Sequence, residues 1–83
     1  MPRYLFDVID SSGHVYRDDE GLNLPSVEAA REHAVREARG VIAQEPAGAL
    51  DYRRWEIRVS DSVGNLITTI SFMDACGGAD EAG

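Results

Sequence analysis

Three carboxylates stand in a row at Asp18, Asp19 and Glu20, directly before Gly21. Oxygen ligands grouped this way suit a hard cation such as Ca²⁺ or Mg²⁺. An EF-hand-type loop, however, spaces its oxygens at alternating positions and closes on a distal Glu, and this run lacks that order. The run therefore reads as a solvated, charged strand end, which also discourages edge-to-edge pairing, or as an acidic contact for a basic partner. His14 and His33 are the only histidines. Neither has a second His at i+4 or a Cys pair nearby, so both read as solvated side chains. Cys76 lies in Asp74-Ala75-Cys76-Gly77-Gly78. A nucleophilic thiolate needs a base or cation to lower its pKa, whereas these neighbours are acidic, so the thiol reads as inert. Gly77-Gly78 lacks the Lys and the following helix of a phosphate loop.

Arg53, Arg54 and Arg58 make a basic spot. Arg54 and Arg58 alternate onto one face with Glu56, where cross-strand ion pairs account for them. Trp55 alternates onto the other face, so the aromatic and basic groups do not form an RNA-stacking platform. Paired catalytic carboxylates would need an open cleft between them, for which a small sheet and one helix leave little room. No catalytic residue, metal-ligand set or cofactor is expected, and the chain does not read as an enzyme.

The elements that position these residues read as hairpin, helix, hairpin, tail. Arg3 to Ile9 alternates with a period of two and is a strand. Asp10-Ser11-Ser12-Gly13 is a turn: Gly13 can take positive φ, and Asp10 can bond the backbone ahead of it. A second, short strand runs from His14 to about Asp18. The helix is placed at 26–44: Ser26 caps it, Glu28 suits its positive end, and Val27, Ala30, Ala34, Ala38, Val41 and Ile42 recur at helical spacing. Pro46 ends it. Gly40 is expected where the helix approaches the sheet closely. After a loop over 47–52, the third strand is Arg54 to Ser60, Asp61 to Asn65 is a turn, and the fourth strand is Leu66 to Phe72. The residues of the two hairpins are not read as a repeat.

The expected fold is α+β: a four-stranded antiparallel sheet with one helix on one face, in the order ββαββ. The domain is placed at 1–75, with a flexible acidic tail at 76–83. Phe6, Val8, Val15, the helix stripe, Trp55, Ile57, Val59, Ile70 and Phe72 are the expected core. Leu5, Ile9, Tyr16 and Ile67 are left for the opposite face of the sheet. Single exposed apolar residues are ordinary. Several on one face of a domain with a marginal core point to cover by a second copy or a partner.

Composition excludes several classes. The 83 residues make one small domain. All 8 basic residues are arginine, against 15 acidic ones, for a net charge of −7. That balance argues against direct nucleic-acid binding. A hydrophobic share of 43% is too high for a disordered chain. No apolar run approaches the ~20 residues of a membrane span. The Met-Pro-Arg-Tyr-Leu-Phe-Asp start lacks the apolar stretch of a signal peptide. One cysteine cannot form an internal disulfide.

Met1-Pro2-Arg3-Tyr4-Leu5-Phe6-Asp7-Val8, Arg17 to Gly21, Leu24-Pro25, Glu28-Ala29-Ala30-Arg31, Trp55 to Val59, Asp61, Gly64 and Phe72-Met73-Asp74-Ala75 occur in that order. In order and spacing they resemble a family of short bacterial proteins, typical of alphaproteobacteria and known as a domain of unknown function. The resemblance implies a cytoplasmic bacterial protein with a ββαββ pattern. It brings no catalytic residues.

The functional expectation is a non-catalytic interaction or regulatory module acting as a homodimer, with contacts through Asp18, Asp19, Glu20, Leu5, Tyr16 and Ile67. One alternative is an acidic inhibitor or nucleic-acid mimic, anti-CRISPR-like or antitoxin-like, that blocks a protein with a basic surface. Another is a small ligand-binding dimer with a site completed across the subunit interface.

Overall fold

Main-chain hydrogen bonding sets the architecture. The computed structural model describes residues 1–44 and 54–75. Pro46, the 47–52 loop, Arg53, Cys76, Gly77-Gly78 and the 76–83 tail lie outside the described residues. The described part is α+β: β1 (Arg3–Ile9), β2 (Val15–Tyr16), β3 (Leu22–Asn23), α1 (Val27–Gln44), β4 (Glu56–Asp61) and β5 (Leu66–Ser71). All pairings are antiparallel, in the order β2-β1-β4-β5, and β3 also pairs with β1.

The strand count differs from the expectation of four in the order ββαββ. The second strand is only Val15–Tyr16, shorter than the expected His14 to about Asp18, and Leu22–Asn23 adds a further short strand, β3. Both short strands use the same edge of β1: β2 meets Val8 and Ile9, and β3 meets Arg3 and Tyr4.

The β1–β2 and β4–β5 hairpins turn on one device. Asp10 Oδ1 accepts the N–H of Ser12 at 2.9 Å and of His14 at 3.0 Å. Asp61 Oδ1 accepts the N–H of Val63 at 3.1 Å and of Asn65 at 2.8 Å. Gly13 and Gly64 close these turns at φ of 91° and 96°, a region open to Gly without the Cβ clash. The pattern Asp-Ser-x-Gly recurs, so the two turns match although the hairpins are not read as a repeat.

α1 begins as expected: Ser26 Oγ accepts the Ala29 N–H at 3.1 Å. Its stripe of Ala30, Ala34 and Ala38 is fully buried. Alanine's short side chain lets the helix axis lie close to the sheet. Tyr4 and Phe6 from β1, Ile57 and Val59 from β4, Ile70 from β5, and Phe72 complete the core, with Ala75 beside them. After β5 the chain makes a short helical turn over 72–75, where Arg39 Nε donates to the Ala75 carbonyl at 2.9 Å. Among the described residues no helix is long and apolar enough to cross a membrane.

Several core assignments change. Val15 and Val27 are exposed, at 39% and 43%. Val15 sits opposite Ile9 on the face away from the helix. Val27 stands in the first helical turn, before the buried stripe begins. Tyr4 is buried because it shares the helix-side face with Phe6 and Val8. Ile9 is also buried, flanked across the sheet by Val15 and Glu56. Gly40 is exposed, and nothing lies within 4 Å of where its Cβ would be, so it marks no close approach.

Candidate functional site

The face opposite the helix does not carry the expected apolar patch. It presents Leu5, Asp7 and Ile9 from β1, Glu56, Arg58 and Ser60 from β4, and Thr69 and Ser71 from β5, as the pairing registers dictate. Leu5 is half-buried and Ile9 is buried. Arg58 Nε bonds Glu56 Oε2 at 3.1 Å along one strand rather than across two, and Arg58 stands opposite Asp7. Tyr16 and Ile67 belong to the other side. Tyr16 pairs with Val8 and stacks on Trp55 at 6.5 Å between ring centroids. A bulge between Val59 and Ser60 displaces the register of β5, and Ile67 packs against the core.

The acidic run splits by role. Asp18 turns inward and fills the gap between β2 and β3 along the edge of β1. Its Oδ2 accepts the Phe6 N–H at 3.1 Å, and its Oδ1 accepts the N–H groups of Glu20 and Gly21 at 3.1 Å each. Its own N–H donates to Asp7 Oδ1 at 2.9 Å. Partial burial opposes ionisation of Asp18, yet the three N–H donors and nearby His33 outweigh it and hold its pKa below the ordinary value. Asp19 and Glu20 are exposed, and the Glu20 carbonyl accepts from Arg3. Gly21, at φ 73°, leaves no room for a side chain: a Cβ would lie 2.8 Å from the Tyr4 carbonyl oxygen and from Leu5 Cδ2. Three adjacent carboxylates thus act as one backbone clasp and two solvent-facing groups. Among the described residues no group of three or more His, Cys, Asp or Glu side chains is arranged to hold a metal ion.

Beside Asp18 a groove opens between the 17–22 segment and α1, with Phe6 as its floor and His33 and Glu37 as its helix wall. His33 is not merely solvated. Its ring packs on Phe6 at 4.7 Å, and its Nε2 lies 3.5 Å from Glu37 Oε1. That oxygen is buried without a hydrogen-bond partner. Burial pushes the Glu37 carboxyl up; His33 pulls it down and Asp18 adds to the rise. The i,i+4 spacing of His33 and Glu37 was the available signal for this pair, and a search for second histidines or cysteines passes over it. His14, by contrast, is exposed and edges onto Tyr16 at 4.4 Å.

The second feature is the β5 edge. Among the described residues β5 has one strand neighbour, β4. Leu66-Ile67-Thr68-Thr69-Ile70-Ser71 contains no charge and no proline. A groove between this strand and the outer side of α1 is lined by Glu28, Arg31, Glu32, Val35, Arg36 and Ile70.

A model for a domain of unknown function, DUF6894, matches residues 3–73. The chain belongs to the DUF6894 family. The match spans every strand and the helix, so what DUF6894 describes here is the whole sheet-and-helix unit. No curated protein and no solved structure matches the chain.

Proposed function

We propose that this DUF6894 chain is a non-catalytic protein-interaction module that acts as a homodimer in the bacterial cytoplasm. The observation that carries the reading is the edge of β5, uncharged and without a strand partner among the described residues. An unpaired strand edge presents free main-chain donors and acceptors, and monomeric proteins usually blunt such an edge with charge, proline or cover. The acidic side chains add support from the other direction. Asp10, Asp18 and Asp61 are engaged by backbone N–H groups, which is structural work.

Light scattering over a concentration series, with reductant to keep Cys76 from cross-linking, tests this. Twice the chain mass is expected. A single-chain mass at high micromolar concentration overturns the reading.

A small-ligand-binding role is a second reading, drawn from the groove holding His33, Glu37 and Asp18. The acidic-mimic reading has weaker support. Such a mimic needs carboxylates ranked on one face, whereas Asp18 turns inward and Glu28 and Glu32 alternate with Arg31 and Arg36 along α1.

A further inference from the structure

We infer that the second copy docks on β5, with Thr69 opposite Thr69 across a two-fold axis normal to the sheet, so that two sheets join into one. This rests on the homodimer reading and names its surface.

Alternation of main-chain bonds fixes which groups of β5 point outward. In an antiparallel strand, successive residues direct their N–H and C=O groups to opposite sides. The Phe6 N–H points away from β4, because it reaches Asp18. The neighbouring Asp7 and Ile9 therefore bond β4 at their partners Arg58 and Glu56. Ile57 and Val59 then bond the other way, to Ile70 and Thr68 of β5. The Phe72 N–H, which reaches the Trp55 carbonyl at 3.0 Å, follows the same parity. Thr69 and Ser71 are left with main-chain groups aimed out of the sheet.

A two-fold normal to the sheet keeps each side chain on its own face, so only residues of like parity can oppose each other. Placing Thr69 opposite itself meets that condition. The two Thr69 residues then exchange both N–H···O bonds, and Thr68 faces Ile70. Every opposed side chain is uncharged, so no charge is stranded at the seam. The other edge of the sheet offers no comparable run: β2 and β3 are two residues each, interrupted by Arg17, Asp18, Asp19 and Glu20.

The helix supplies the second contact. The same axis places both copies of α1 on one face, running in opposite directions. The outer side of α1 beside β5 carries Glu28, Arg31 and Glu32 toward its start and Arg36 toward its end, around Val35. Reversal brings the acids of one copy toward Arg36 of the other. Two acids against Arg31 leave the start of that face net acidic, so the reversed arrangement sets it against the partner's basic end.

Thr69→Pro tests the inference without touching the internal ladder. The Thr69 N–H serves no β4 bond, and proline is tolerated at such edge positions. Light scattering should show the variant dissociating at a concentration at least tenfold above that of the wild type. Its far-ultraviolet circular dichroism and Tm, read in dilute monomer, should be unchanged. Thr69→Val, which keeps the N–H, should remain a dimer. Arg36→Glu, on the exposed helix surface, should raise the dimer Kd by about tenfold and decides the matter if the proline variant does not fold. A wild-type dimer that neither Thr69→Pro nor Arg36→Glu weakens overturns this surface and leaves the homodimer reading standing. A wild-type monomer overturns both.

Discussion

The Phe6 N–H and the Asp18 carboxylate, 12 residues apart in sequence, meet at 3.1 Å and close a stretch where β1 lacks a strand partner among the described residues. A side chain stands in for a missing residue of β-ladder. Both carboxylate oxygens are used, one by Phe6 and one by Glu20 and Gly21. Asp18→Ala should therefore destabilise the domain by about 1–3 kcal/mol, because it strands part-buried N–H donors. Asp18→Asn keeps one acceptor and should fall between. Asp19→Asn, on an exposed side chain, should stay within about 0.5 kcal/mol of wild type. Urea denaturation of the three variants checks the order.

The turn glycines should rank by their surroundings. Gly13 and Gly64 share positive φ and open space, so alanine at either costs only backbone strain, about 1–2 kcal/mol. Gly21→Ala adds a clash with the Tyr4 carbonyl and Leu5, and should cost more than either. Equal losses at all three positions in thermal melts would contradict this ranking.

Asp18 and Glu37 should give opposite signs in acid. The folded-state pKa of Asp18 is lowered, so its contribution is present above the unfolded-state value and is lost as pH falls through the folded one. The stability gap between wild type and Asp18→Asn should shrink on acidification. The folded-state pKa of Glu37 is raised, chiefly by burial, so its ionisation opposes folding as pH rises. Glu37→Gln should be more stable than wild type at pH 7. That gain should vanish below the ordinary glutamate value. Denaturation midpoints across the acid range read both trends.

The alanine stripe of α1 should resist enlargement. Ala34 is fully buried between helix and sheet. Ala34→Leu should cost about 1–3 kcal/mol through forced displacement of the helix. Calorimetry would show a lower Tm, whereas an unchanged one would mean that the helix does not sit close to the sheet.

Much of the fold was legible because it rests on short-range patterns. The Ser26 cap, the alanine spacing and the alternation of Ile57 and Val59 each act within a few residues, and α1 begins one residue after its cap as expected. What was not legible depends on partners distant in the chain. β3 exists because Leu22 and Asn23 find the edge of β1, and two residues carry no periodicity of their own. Tyr16 and Ile67 were assigned to the wrong face for related reasons. The register of β2 against Val8 and a bulge opposite Ser60 are both set by pairing. The acidic run suggested a shared role, while its backbone turns only Asp18 inward. The His33–Glu37 pair was visible as a spacing, but its burial against Phe6 was not.

The clasp on β1 also bears on how far assembly could go. A sheet with two open edges would add copies without limit and grow into a fibre. Here the β1 side is already occupied, in turn, by β3, the Asp18 carboxylate and β2. Two chains joined along β5 would turn outward only β2 and β3, strands of two residues each, separated by Arg17, Asp18, Asp19 and Glu20. Growth would stop at a pair, and one aspartate side chain is part of what makes the pair finite.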